Sequence, residues 1–236
     1  MPGPSQKIEL GRWRGGGARI LVLTSSPRLE GNSHRLAESF VAGAESAGHD
    51  VILVDLATHV TSMLRDCRSC RGVDGQCTIE DGHKKTFDLY LAAEVVVYAT
   101  PIWWYGISAQ LKAFIDRMFC FISDSYPDAA KVREMLPLKR AALLLSAEES
   151  NFAARLAIVE QISELCRYLH QPFIGIVTGI GNRRGEVTMD TADPMSAAFA
   201  LGRDILRIQS TDYQLDSVRS KTVWQDGDDK LPGNWR

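Results

Sequence analysis

Three short stretches carry residue types that can do chemistry. The first is SSPRLEGNS, residues 25–33, between the apolar run ARILVLT and an amphipathic segment. A helix N-terminus offers unpaired N–H groups and a partial positive charge, so a polar loop that opens a helix is a natural anion site. Ser26, Asn32 and Ser33 can donate hydrogen bonds, Arg28 adds charge, and Gly31 lets the backbone come close. The same residue types also cap helices with no ligand. Paired serines and Arg28 at the carboxyl end of a strand favour the anion. There is no Gly-Lys-Ser/Thr, which excludes a nucleoside-triphosphate loop. Gly15–Gly17 precede the strand, on the wrong side for a dinucleotide fingerprint.

The second stretch is Pro101-Ile102-Trp103-Trp104-Tyr105-Gly106. Three adjacent aromatics fit neither helical nor strand periodicity and cannot all enter one core. Such walls, with backbone donors between them, suit a flat and partly apolar ring. Sealing of a sheet edge or a subunit contact is the alternative use. Tyr105 is the nearest candidate for a polar assist to catalysis.

The third stretch is Cys67-x2-Cys70-x6-Cys77, with His83 beyond it. Its ligand types suggest metal binding, and Cys67 with Cys70 could form a redox pair. The spacing to His83 is irregular, and the preferred expectation is no metal. Cys120 and Cys166 fall on helical faces and read as buried, inert thiols. Two weaker candidates follow later strands. Ser146, Glu148, Glu149 and Ser150 can border a ligand, although acidic residues at a helix start are also what the dipole favours. Arg183 and Arg184, in GIGNRRGEV, can meet a phosphate group or form a solvated turn.

Regular elements must hold these loops. ARILVLTSS, DVILVDLA, AEVVVYATP, RAALLLSAE and PFIGIVTGI are five apolar runs, each separated from the next by a helical pattern. The first helix carries Leu36, Phe40, Ala44 and Ala47 on one face and is stopped by Gly48. The next long one presents Leu111, Phe114, Ile115 and Met118. A third is capped by Asn151, with Phe152, Leu156, Val159, Ile162, Leu165 and Leu169 inward. The last starts at Asp193-Pro194 and turns Leu201, Ile205 and Ile208 inward. This alternation predicts a five-stranded, doubly wound parallel α/β sheet in a single domain, residues 18–211, with ligands beyond the carboxyl ends of the strands. Residues 1–17 are expected to be a flexible extension, and residues 212–236 a polar tail that can reach a subunit interface.

The bulk numbers agree with that class. The chain has 236 residues, 45% hydrophobic and 24% charged, and a formal net charge of -2. That balance gives no reason to expect a nucleic-acid or membrane partner. The N-terminus lacks the apolar core of a secretory signal, and five cysteines are an odd number for a disulfide framework. A cytoplasmic protein is expected.

SSPRLEGNS resembles the Ser-Pro-Arg-x-x-Gly-Asn-Thr/Ser loop of the flavodoxin-like NAD(P)H-dependent FMN reductases and iron–sulfur flavoproteins. ATPIWWYGISAQLKAFIDR, residues 99–117, is similar to that family's Ser-Pro-Ile-Tyr-x-Gly-x-x-Ser-x-x-Leu-Lys-x-Phe-Ile-Asp-Arg segment, with Thr100 at a position that is often Ser. The resemblance implies a flavodoxin-like fold with FMN as cofactor. Ser26, Arg28, Asn32 and Ser33 would contact its phosphate, Gly31 would permit the turn, and residues 101–106 would border the ring. It further implies NADPH or NADH as donor, a homodimer, and a small organic acceptor such as a quinone, a nitro or azo compound, or free flavin. Iron–sulfur relatives carry four cysteines where this chain has three, and Val73 occupies the third position. A cubane cluster normally uses four thiolates, so the loop is expected to be a remnant followed by an acidic pair, Glu80-Asp81. An FMN electron-transfer protein without NAD(P)H activity, a specialised biosynthetic flavoenzyme, and a cysteine-based redox or metal sensor remain alternatives.

Overall fold

The computed structural model describes residue 13 and residues 16–72 and 75–208. Expectations for residues 1–12, 14–15 and 212–236, and for Val73, lie outside the described residues.

Five strands form one parallel sheet: β1 (Arg19–Thr24), β2 (Asp50–Asp55), β3 (Val95–Pro101), β4 (Arg140–Ala147) and β5 (Phe173–Ile180), in the order β2-β1-β3-β4-β5. The doubly wound sheet expected from the alternation is therefore present. β3 is buried along its whole length, as the unbroken run VVVYATP requires of a central parallel strand.

Helices cover both faces. α1 (Asn32–Ser46) and α8 (Pro194–Asp204) lie on one, over a core of Ile20, Val22, Phe40, Val97 and Leu144. They pack closely because Gly43 has no side chain where the Phe199 carbonyl of α8 sits. Leu36, Phe40 and Ala44 are buried as expected, whereas Ala47 falls at the exposed C-cap. α2 (Leu56–His59), α3 (His83–Ala92), α4 (Ala109–Arg117), α5 (Phe119–Ile122), α6 (Ala129–Met135) and α7 (Phe152–Tyr168) complete the fold. Most of these six cover the other core, built around Leu23, Phe87, Tyr98, Phe114 and Leu143.

α7 differs from the expected inner face. Its buried stripe is Ile158, Ile162, Cys166 and Leu169, while Phe152 and Leu156 are exposed. At about 100° per residue, Leu156 stands roughly 160° around the helix from Ile158. Asn151 caps α7 by accepting from Ala154 N at 3.2 Å, and Asp193 caps α8 by accepting from Ser196 N at 3.2 Å, both as expected. Among the described residues no helix is long and apolar enough to cross a membrane.

The strand order reverses between β1 and β3, and this is where a doubly wound sheet leaves a crevice at its carboxyl edge. The first two chemical loops follow β1 and β3, one on each side of that reversal.

Candidate functional site

The loop after β1 is stitched down before it opens. Ser25 N and Ser25 Oγ both donate to Ala99 O, at 3.1 and 3.0 Å, so this serine serves the sheet. Arg28 N donates to Ser26 Oγ at 3.2 Å, and Gly31 N to Arg28 O at 3.0 Å, which closes a tight turn ahead of α1. His34 Nε2 lies 3.0 Å from Ser26 O and must donate to it, because a carbonyl only accepts. No side chain caps α1 at Gly31. A Cβ on that glycine would lie 2.8 Å from Arg28 O and 3.4 Å from Ser26 Oγ, so the cradle exists only with glycine there. Inside it, Ser33 Oγ is buried and has no hydrogen-bond partner. A buried hydroxyl left unpaired costs about 1–3 kcal/mol. A phosphate oxygen at the helix N-terminus would supply its partner.

Asn32 stands differently from the sequence expectation. Its side chain bridges two other groups: Nδ2 donates to Gly181 O at 2.6 Å, and Oδ1 accepts from Val187 N at 3.2 Å. Its amide thus ties the first loop to the loop after β5, and what it can offer an anion is its backbone N–H. That tie brings Arg183 and Arg184 to the same cavity of about 240 Å³ that Ser26, Arg28, Gly31 and Ser33 line. The two arginines, given an open reading above, sit beside the cradle around Gly31.

A larger cavity of about 910 Å³ continues from it, lined by Ile102, Trp103, Trp104, Tyr105, Glu148 and Asn151 among others. Arg28, Ile102, Trp103 and Glu148 line both, and the Arg28 guanidinium rests 5.6 Å from the centre of the Trp103 ring. The volume is that of a site for a cofactor-sized ligand. Pro101 is buried at the end of β3, and Ile102 N donates to Ser146 O of β4 at 2.8 Å, which anchors the loop to the sheet. Thr100 Oγ1 accepts from Ser108 N at 3.1 Å, so the residue standing in place of Ser keeps a structural role.

The aromatic run is a two-residue hairpin turn, a form the periodicity did not reveal. Trp103 and Gly106 exchange backbone hydrogen bonds at 3.0 and 3.1 Å, while Trp104 (φ 47°) and Tyr105 (φ 61°) occupy the left-handed region. Asn-Gly is favoured at such central positions, and a side chain with a Cβ costs about 1–2 kcal/mol at each. The strain holds Trp104, 97% exposed, and Tyr105, 64% exposed, at the cavity mouth. Replacing Trp104 with Asn and Tyr105 with Gly together should therefore raise stability by about 1–2 kcal/mol in urea denaturation. A lowered midpoint would show that the two rings make stabilising contacts that outweigh their strain.

The cysteine loop is fastened to α4 by a buried ion pair. Arg117 donates to both carboxylate oxygens of Asp81, at 2.6 and 2.8 Å, with the two side chains 3% and 2% exposed. Asp81 also accepts from Thr61 N, Ser62 N and His83 N, and Arg117 donates to Ser62 O. Burial alone would raise the Asp81 pKa, but the Arg117 guanidinium and these N–H groups outweigh it and hold the carboxyl below its ordinary value. His83 stacks on Phe121, and its Nε2 donates to Phe114 O at 2.9 Å. Burial lowers its pKa to about 4, so the ring is neutral. His83 is thus committed to the core, away from the role of fourth ligand to Cys67, Cys70 and Cys77. Among the described residues no three His, Cys, Asp or Glu side chains are arranged to hold a metal ion.

Known proteins place this arrangement. The family model described as having a flavodoxin-like fold matches residues 18–203. Bacillus subtilis (strain 168) YwqN, provisionally named an NAD(P)H-dependent FMN-containing oxidoreductase, is 28% identical over 184 residues, covering 78% of this chain and 96% of that protein. An iron–sulfur flavoprotein of Archaeoglobus fulgidus is 27% identical over 100 residues, 42% of this chain and 45% of that one. Among solved structures, an NAD(P)H:quinone oxidoreductase from Methanothermobacter marburgensis superposes with a TM-score of 0.62 at 16% identity, covering 80% of this chain and 96% of the other, a likeness of fold alone. With most of its length matched by that model and the strand order β2-β1-β3-β4-β5, the chain belongs to the family of flavodoxin-like-fold proteins.

Proposed function

We propose that this protein is an FMN-dependent NAD(P)H oxidoreductase that delivers two electrons to a small organic acceptor: a quinone, a nitro or azo compound, or free flavin. The observation that carries the reading is the unpartnered, buried Ser33 hydroxyl in a glycine-dependent cradle that opens into an aromatic-walled cavity. An anionic tail and a flat ring on one molecule fit that pair of cavities. The name of YwqN supports the same choice of cofactor and donor.

In this reading Ser26, Ser33 and the first backbone N–H groups of α1 would hold the phosphate, and Arg28, which lines the same cavity, would add charge. From the segment 101–106, Ile102, Trp103, Trp104 and Tyr105 would border the ring, and Glu148 and Asn151 line the same cavity. Bound FMN would supply the redox chemistry, taking a hydride equivalent from NADH or NADPH and passing two electrons on. The protein's own tasks are to fix the ring, keep one face open, and admit donor and acceptor there in turn. Tyr105, exposed at the mouth, can donate a hydrogen bond to an acceptor without being needed for the transfer itself. Arg183 and Arg184 give an NADPH phosphate a cationic landing place beside the cradle. Exposed Trp104, Phe152 and Leu156 support a homodimer in which a second subunit covers these apolar side chains.

The test is FMN-loaded protein mixed with NADPH or NADH and a soluble quinone. Oxidation of the nucleotide that requires both loaded protein and quinone is the expected result. Oxidation only after a separate reductase is added would make the chain an electron carrier instead.

A further inference from the structure

We propose that Cys77 is a peroxide-reactive thiol that closes a disulfide onto Cys120, fastening the cysteine loop to α5. Four observations converge on the pair. Cys70 and Cys77 pack, half-buried, against the core in which Cys120 sits 6% exposed. The Cys120 thiol interacts with the thiols of both. The Arg117 guanidinium interacts with Cys77. Finally, Arg117 Nε is buried with no hydrogen-bond partner, although the two terminal nitrogens are engaged by Asp81 and Ser62 O.

A thiolate at Cys77 would strengthen its interaction with the Arg117 guanidinium. The ion pair therefore has a use for charge on this sulfur, beyond anchoring the loop. Cys77 is also the member of the pair that a small oxidant can reach, since Cys120 is enclosed. Burial, and then the negative charge of its two thiol neighbours, pushes the Cys120 pKa up to about 12, so Cys120 does not react first.

The order of events follows. The Cys77 thiolate attacks the O–O bond of hydrogen peroxide or an organic hydroperoxide. Cys77 becomes a sulfenic acid, and the departing oxygen takes up a proton as water or alcohol. Oxidation removes the charge on Cys77, which eases the ionisation of Cys120. The Cys120 sulfur then attacks the Cys77 sulfur, the S–O bond breaks, and hydroxide leaves with the Cys120 proton as water. Two thiols are oxidised and one peroxide is reduced. None of this requires bound flavin.

Trypsin separates the thiols of interest. Cleavage after Arg and Lys puts Cys67 in residues 66–68, Cys70 in 69–71, Cys77 in 72–84 and Cys120 in 118–131. The full-length, reduced protein is treated with hydrogen peroxide, alkylated, digested without reductant and analysed by mass spectrometry. Residues 72–84 joined to 118–131 are expected in the wild type, in Cys67→Ser and in Cys70→Ser. The link should vanish in Cys77→Ser and in Cys120→Ala, and the latter should keep a sulfenic acid at Cys77 that dimedone traps. The exposed Cys67, whose pKa is lowered by hydrogen bonds from Ser69, is the competing thiol. Oxidation confined to Cys67, a link between 72–84 and 69–71, or a wild type that stays reduced at Cys77 would overturn the proposal.

Discussion

Replacing Gly31 with Val should weaken FMN binding at least about a hundredfold while leaving the protein folded. The glycine sits ahead of α1 with φ -66°, a conformation any residue adopts, so the backbone tolerates the change. What fails is space, because even a Cβ would meet Arg28 O at 2.8 Å. The turn must then open, moving Ser26 and the N–H groups to which we assign the phosphate. Loss of one or two charge-assisted hydrogen bonds, each about 1.5–3 kcal/mol, corresponds to that factor. Arg28→Ala should cost less, since Arg28 is exposed and its charge is partly screened by water. Glu148→Ala should change little, as a carboxylate contributes nothing to holding an anion. Fluorescence titration with FMN checks the series. Equal affinities across the three variants would place the phosphate elsewhere.

The second large effect is on stability. Asp81→Ala should lower the free energy of unfolding by about 3–5 kcal/mol, because it strands the buried Arg117 charge. Three backbone N–H groups also lose their acceptor. Lys84→Ala breaks an exposed pair with Asp88 and should cost no more than about 0.5 kcal/mol. The pH dependence has a determined sign. His83 has a depressed folded pKa, so its contribution is complete above its ordinary value of 6.5 and declines as pH falls toward about 4. Asp81 is likewise depressed, so its contribution is complete above 3.8 and is lost as pH falls through its lower folded value. Urea midpoints of the wild type should thus decline in two stages on acidification, and the lower one should be smaller in Asp81→Ala, where Glu164, Glu186 and Asp204 still contribute to it. A single stage shared by both proteins would contradict the assignment.

The sheet was legible because each strand is an unbroken apolar run bounded by turn residues, and the long helices that follow β1, β4 and β5 have clear periods. Both cap predictions, at Asn151 and Asp193, rested on local chemistry that tertiary contacts did not need to override. The inner face of α7 was misread because Phe152 and Leu156 were counted as core by their type. Both are exposed, because the buried stripe runs through Ile158, Ile162 and Cys166 instead. The loop after β1 was legible as a polar strand-to-helix junction, but the division of labour inside it was not. Ser25 and Asn32 are bound to β3 and to the loop after β5, at separations of 74 and 149 residues, and such partners have no sequence signal. Asp81 and Arg117 were each noted within a motif, yet their pairing across 36 residues emerged only in three dimensions. The left-handed turn at Trp104 and Tyr105 violates the residue preferences that would have revealed it.

The central claim is that one ligand places its phosphate against Ser33 and its ring against residues 101–106. Parallel titrations of ligand-free protein with FMN and with riboflavin, which has the same ring without the phosphate, test it most directly. The account predicts one FMN per chain, quenched and yellow on the protein, with riboflavin bound at least about a hundredfold more weakly. Equal affinities for the two, or a protein that stays colourless with FMN, would contradict it.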